Sequence, residues 1–202
     1  GLHTGMQDST PMIMLIGQVA RDQFDREAFQ EIDYRRMFGQ VAKWVGQIED
    51  AERIPEYVAR AYHTAMSGRP GPVVLALPED MLRDRVAVSD TAPYAIHRSH
   101  PGDASMQAMR GMLAEAERPL LLVGGGGWDQ AASDNIQAFA KANNIPTMAS
   151  FRCLDFVDHN SPLYIGDLST GTSPKLIQSV KDCDLLSWRA HAWARLRPRV
   201  MS

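Results

Sequence analysis

Four consecutive glycines at 124–127 follow the apolar run Pro119-Leu120-Leu121-Leu122-Val123. Glycines placed between a strand and a helix let a phosphate approach the helix N-terminus. Counting forward from Gly124 and Gly126, however, the position of the third fingerprint glycine holds Asp129, an acid that opposes a pyrophosphate. A tight turn without a ligand therefore stands beside a nucleotide site as a reading of this segment. Glu79 and Asp80 close a second apolar run, Val73-Val74-Leu75-Ala76-Leu77. That is the carboxyl end of a strand, where parallel sheets place their ligands, although acids there also simply face solvent. His97 and His100 form a close pair with no cysteine or carboxylate at metal-ligand spacing, so no metal site is expected. The sequence contains no Gly-x-Ser-x-Gly, P-loop or zinc pattern.

These residues need strands and helices to hold them, and the hydrophobic pattern supplies both. Residues 11–19, PMIMLIGQV, read as a strand apolar enough to be buried on both faces of a parallel sheet. The charged stretch 21–36 around Ala28-Phe29-Gln30 reads as a loop leading into a short helix. Ile54, Val58, Ala61, Tyr62 and Ala65 share one helical face, and Gly68 ends that helix. A Pro/Gly turn at 67–72 then delivers the chain into the strand 73–77. Strand, helix, strand favours a parallel sheet with right-handed crossovers. Periodicity lapses over 82–103. It restarts with a helix carrying Met106, Met109, Met112, Leu113 and Ala116, then the strand 119–123. A helix with Ile136, Phe139 and Ala140, a strand from Ile145 and a helix with Leu176, Ile177 and Val180 inward complete the pattern. The expected fold class is α/β: parallel sheets flanked by helices, in two domains.

At 202 residues, with 45% hydrophobic and 22% charged residues, the composition is that of a globular protein, which excludes a collagen or disordered chain. The longest apolar runs fall far short of a bilayer span, so no membrane partner is expected. Two cysteines, Cys153 and Cys183, make no disulfide framework, which points to a reducing, cytoplasmic home. The net charge of −3 is uneven: residues 187–202 carry four arginines and no acid, leaving −7 for the rest. A basic tail is one signature of nucleic-acid binding. The preferred reading here is an atypical Arg/Trp-rich tail standing where the next strand of the domain is expected, with no nucleic-acid partner. An abrupt change of this kind is what a shifted reading frame produces.

Several segments in order carry a resemblance: Gly1-Leu2-His3-Thr4, Asp8-Ser9-Thr10-Pro11-Met12-Ile13, Gly17-Gln18-Val19, Ala28-Phe29-Gln30-Glu31, Ser67-Gly68-Arg69-Pro70-Gly71-Pro72-Val73 and Leu77-Pro78-Glu79-Asp80. Glu117-Arg118-Pro119, the glycine run, Phe139-Ala140, Pro146-Thr147, Tyr164 and Gly166 continue it. The chain resembles the acetolactate-synthase-like enzymes that depend on thiamine diphosphate. The resemblance implies the C-terminal part of a pyrimidine-binding domain at 1–87 and a linker at 88–103. A Rossmann-like central domain, truncated, would follow at 104–186, before the tail at 187–202.

The resemblance further implies that Phe29 lines the substrate pocket and that the Gln30 amide hydrogen-bonds a small 2-oxo acid, making Gln30 the catalytic candidate. Gln18 is a cofactor-side candidate, and Gly124, Gly125 and Gly126 are candidates for an adenine nucleotide. The family's glutamate that activates the aminopyrimidine, and its Gly-Asp-Gly motif for Mg²⁺ and diphosphate, match nothing in this chain. The expectation is therefore a fragment, inactive alone, of a carboligase or 2-oxo acid decarboxylase. FAD stays open, because Tyr164-Ile165-Gly166-Asp167-Leu168 stands where FAD-binding synthases carry Gly-Met-His-Gly. Carboligation stays open too, because Glu79 replaces the lysine of the usual Pro-Lys-Asp motif. Active sites shared between subunits imply a dimer or tetramer, and a sheet lacking its first strands would leave an open edge. Two other readings remain: a non-enzymatic remnant that pairs with a full-length subunit, and a nucleotide-binding α/β protein built on residues 124–127.

Overall fold

A computed structural model describes residues 1–95, 100–125, 128–188 and 192–194. The chain folds as two compact units, Gly1–Ser99 and His100–Ser202. Each is α/β with parallel strands and flanking helices, as the pattern predicts.

The first unit runs α1 (Leu2–Gln7), β1 (Met12–Gln18), α2 (Tyr34–Phe38), β2 (Trp44–Gln47), α3 (Ile54–Met66) and β3 (Pro72–Pro78). The sheet order is β1-β3-β2, with both pairings parallel: Met12 stands beside Pro72 and Trp44 beside Val73. The strand β3 is central and buried on both faces, whereas β1 is an edge strand. The sequence reading of β1 as doubly buried is corrected accordingly, since Leu15 is 63% exposed. Having one sheet neighbour instead of two, β1 keeps only part of its apolar surface from water.

Helix α3 starts at Ile54, with a proline in its first turn, and stops where Gly68 adopts a left-handed conformation (φ 58°). It packs through Ala61 and Ala65 onto Val73 and Leu75, with Ile48, Ala51 and Met81 completing the core. Alanines allow the helix backbone to approach the sheet closely. Val58 and Tyr62, expected on the same inward face, are more than one-third exposed.

The second unit runs α4 (Asp103–Glu115), β4 (Pro119–Val123), α5 (Gln130–Asn143), β5 (Thr147–Ser150), β6 (Tyr164–Leu168), α6 (Pro174–Asp182), β7 (Leu185–Trp188) and β8 (Ala192–Ala194). Its sheet order is β6-β5-β4-β7-β8; all pairings are parallel except that of β8 with β7. One face packs Leu121, Val123 and Ala149 against Ala140, Ile136 and Phe139 of α5. The other packs Leu120, Leu122 and Met148 against Leu176 and Val180 of α6, while Ile177 is exposed, contrary to expectation. Helices on both faces make this a doubly wound sheet. The Asp184 carboxylate accepts the backbone N–H groups of Glu117 and Arg118 at 2.7 and 3.0 Å, fastening the start of β4 beside β7.

Candidate functional site

In the first unit the carboxyl ends of all three strands open on one edge, and residues 19–33 loop over it. The Tyr34 hydroxyl donates to the Gly17 carbonyl at 3.0 Å, tying α2 back to the end of β1. Gln18 is 8% exposed. Its Nε2 donates to the Ile32 carbonyl (2.8 Å) and to Gln47 Oε1 (3.4 Å), while its Oε1 accepts from Val19 N–H (3.0 Å). The side chain thus anchors both ends of the loop and touches β2. Backbone pairing closes the edge, with Glu79 N–H donating to the Gln18 carbonyl (3.0 Å).

Arg21 is the electrostatic hub of this edge. Its backbone N–H and Nε both donate to the Asp80 carboxylate (2.9 and 2.7 Å), its Nη2 pairs with Asp84 (2.9 Å), and its Nη1 donates to the Glu49 carbonyl (2.9 Å). The Arg21 hydrogen bond is the main reason the Asp80 carboxyl titrates below its usual range. A group whose pKa falls on folding stabilises the fold above its unfolded pKa, and that contribution is lost as pH falls through the folded value. The Arg21–Asp80 contact should therefore loosen in strong acid, read as an upfield shift of the Arg21 backbone amide proton that donates to Asp80. Asp80→Asn should loosen it at neutral pH and accelerate trypsin cleavage after Arg21; unchanged cleavage in that variant would remove the clamp.

Phe29 and Gln30 lie at the tip of the loop. Phe29 is 90% exposed, and Gln30 is exposed with φ at 69°. The structure thus places the two expected substrate residues side by side on the carboxyl edge of the sheet. Sequence reading gave Arg21, Gln47 and Glu31 no role at the site and left Asp80 between a ligand-end acid and a solvent-facing one. Arg21 and Asp80 are 59 residues apart, so no local spacing marks the pair.

In the second unit Gly124 and Gly125 turn the chain out of β4, with Gly125 at φ 79°. The Gly124 carbonyl accepts from Trp128 Nε1 at 3.1 Å. Gly126 and His97 lie outside the described residues. The Asp129 carboxylate caps α5 by accepting Ala132 N–H at 2.8 Å. An open depression of about 400 Å³ beside it is lined by Trp128, Ser133, Gln137, Phe156 and the acids Asp129, Asp155 and Asp158. Its amides and hydroxyl are engaged with each other: Gln137 Nε2 donates to Ser133 Oγ (3.1 Å), Ser133 Oγ to the Phe156 carbonyl (2.7 Å), and Gln137 Oε1 accepts from Asp158 N–H (2.9 Å).

Residues 106–188 match the family model of the thiamine pyrophosphate enzyme central domain. The chain is 31% identical over 192 residues to the acetolactate synthase large subunit of Parasynechococcus marenigrum, covering 92% of this chain and 31% of that relative. The chain belongs to the acetolactate-synthase-like family of thiamine pyrophosphate enzymes. The large subunit of acetolactate synthase isozyme 2 of Escherichia coli is also 31% identical, over 92% of this chain and 34% of its own length. A probable acetolactate synthase large subunit of Methanocaldococcus jannaschii is 30% identical over 92% of this chain and 33% of its own. The chain thus spans about a third of the length of these relatives.

Membership in a thiamine pyrophosphate family implies that cofactor, and the residues present were tested against it. A diphosphate requires cationic or N–H donors, preferably around a divalent cation. At the first unit's edge the acids Asp80, Asp84, Glu49 and Glu31 outnumber the cations: the Arg21 guanidinium is already divided between Asp80, Asp84 and the Glu49 carbonyl, and Arg26 stands in the chain between Asp25 and Glu27. At the second unit's edge the α5 N-terminus holds its own aspartate, with two further acids beside it. Among the described residues, no group of three or more His, Cys, Asp or Glu side chains could hold a metal ion. The described residues of these two edges do not fit the diphosphate end of the thiamine pyrophosphate family's cofactor.

Proposed function

We propose that this chain supplies the substrate-facing loop of a thiamine-diphosphate-dependent enzyme acting on a small 2-oxo acid, either an acetolactate-synthase-like carboligase or a decarboxylase. The observation that supports this most is the presentation of Phe29 and Gln30 together, outward, at the carboxyl end of a parallel sheet. Phe29, 90% exposed, has its ring free to pack against a second surface. The ring would wall an apolar pocket around the substrate's alkyl group. The neighbouring amide N–H groups would donate to its carboxylate or keto oxygen without adding charge.

In this reading diphosphate and Mg²⁺ are bound by a domain beyond these residues, and the cofactor supplies the carbanion chemistry. Gln18 lies on the cofactor side as an anchor of the loop; Gly124 and Gly125 would meet the uncharged part of an adenine nucleotide or FAD, its pyrophosphate lying away from Asp129. The enzyme assembles as a dimer or tetramer, consistent with the open edge of β1. A cytoplasmic location goes with the two free thiols, Cys153 and Cys183. No helix among the described residues is long and apolar enough to cross a membrane.

The reading predicts that purified chain given thiamine diphosphate, Mg²⁺ and pyruvate releases no CO₂ beyond the first turnover. In the same solution, pyruvate should shift the Gln30 side-chain amide and Phe29 ring resonances. Sustained CO₂ release would overturn the dependence on other domains. Pyruvate shifts confined to other residues would overturn the site.

A further inference from the structure

The loop that carries Phe29 and Gln30 is built in an unfavourable way for its sequence. Asp25, Glu27 and Gln30 have φ values of 60°, 55° and 69°, and none is glycine. Left-handed conformations at non-glycine residues persist only where the surroundings over-determine them. Here the determining group is the side chain of Glu31. Its Oε1 accepts Asp25 N–H at 2.6 Å and its Oε2 accepts Ala28 N–H at 3.2 Å. The backbone N–H of the same residue donates to the Ala28 carbonyl at 3.0 Å. Glu31 therefore holds Ala28 by both its N–H and its C=O. The bond from Glu31 N–H to the Ala28 carbonyl closes a four-residue turn whose two central residues are Phe29 and Gln30.

We propose that Glu31 is a positioning residue, whose carboxylate locks the backbone of residues 25–28 so that the turn presents the Phe29 ring and the Gln30 amide together to a 2-oxo acid. This rests on the assignment of Phe29 and Gln30 as the substrate-facing pair. Two properties of the arrangement suit that role. The backbone N–H groups of Asp25 and Ala28, held on the two oxygens of one carboxylate, turn a flexible polar loop into a fixed one. The same contacts occupy the oxygens of a carboxylate immediately beside Gln30 and draw its negative charge onto the loop backbone, weakening its repulsion of an anionic substrate. The hydrogen bond from Asp25 N–H, followed by others from Ala28, Arg26 and Glu27, keeps the Glu31 carboxyl ionised below its ordinary range.

The test uses the full chain, isotopically labelled, as wild type, Glu31→Gln and Glu31→Asp, with amide resonances of β1 and β3 reporting that the fold is intact. In the wild type the Asp25 and Ala28 amide protons should lie downfield and titrate together in acid. Both signatures should vanish in Glu31→Gln, and the pyruvate concentration that half-shifts the Gln30 amide should rise about tenfold, as for the loss of a hydrogen bond to a charged group. Glu31→Asp, which retains two carboxylate oxygens, should recover part of both losses. If Glu31→Gln leaves the amide signatures and the pyruvate response unchanged, the positioning role is overturned. A wild type with the amide signatures but no pyruvate response at Gln30 would overturn the substrate assignment, and the positioning role with it, while leaving the loop lock itself demonstrated.

Discussion

Leu75→Ala should destabilise the first unit by about 2–5 kcal/mol, toward the upper end of that range. Leu75 is fully buried at the middle of β3, level with Leu15 on one side and Gly46 on the other. The surrounding groups cannot move in to fill the space. Ala61 and Ala65 of α3 already lie against the sheet with the smallest side chains that still pack, and Gly46 has none at all. A Cβ at Gly46 would stand 2.8 Å from the Trp44 ring and 3.2 Å from a Leu75 methyl, so the indole and the leucine together fill the room that the glycine leaves. Truncation therefore adds a persistent cavity to the lost transfer energy. Domain stabilities are only about 5–15 kcal/mol, so the variant should be close to unfolding. Urea denaturation followed by the fluorescence of Trp44, which packs on the same cluster, measures this; a loss below about 1 kcal/mol would show that the site collapses and relaxes.

Gly166→Ala should be the most damaging of the single-methyl additions at Gly102, Gly111, Gly166 and Gly171 of the second unit. Gly166 has φ at 130°, a region that L side chains rarely adopt. Such a conformation at a non-glycine residue costs about 1–3 kcal/mol. The added Cβ would also sit 2.5 Å from Leu176 Cδ1. That methyl can swing away, but Leu176 packs against Leu122 and Met148, so its retreat opens the face between the sheet and α6. Thermal unfolding should shift down by several degrees, as a destabilisation of this size does in a domain of about 100 residues. If the transition is unmoved, the chain at Gly166 adopts another backbone conformation in solution.

How much of this could be read from the sequence depended on whether the determining interactions were local. The strands β3 and β4 are continuous apolar runs and were legible as buried strands, as were α3, α4, α5 and α6 from their periodicity. The four-residue β2, Trp-Val-Gly-Gln, was not: it is short, contains a glycine, and owes its place to hydrogen bonding with β3. The strand β6 was missed for a similar reason, since Tyr-Ile-Gly-Asp-Leu is only half-buried and carries a glycine and an acid. The extent of β1 was read closely, 11–19 against Met12–Gln18, but its position was not, because an apolar run does not say whether a strand has one neighbour or two. At the candidate site, Phe29 and Gln30 were singled out by a family motif. What orients them was not, because no spacing rule marks a carboxylate gathering backbone N–H groups from residues 25 and 28, or a guanidinium reaching an aspartate 59 positions away.

The order β1-β3-β2 has a consequence for the nascent chain. Of these three strands the middle one is made last, so neither β1 nor β2 can pair with it until Pro72–Pro78 leaves the ribosome. At roughly 5–20 residues per second, the interval between completion of β1 and completion of β3 is about 3–12 s. Throughout it Met-Ile-Met-Leu-Ile-Gly-Gln waits for β3, uncharged and without proline, the composition of a segment that joins its own copies on neighbouring chains. That interval is a window for capture by another newly made molecule, and it closes when the central strand gives the loop at 19–33 a sheet to stand on.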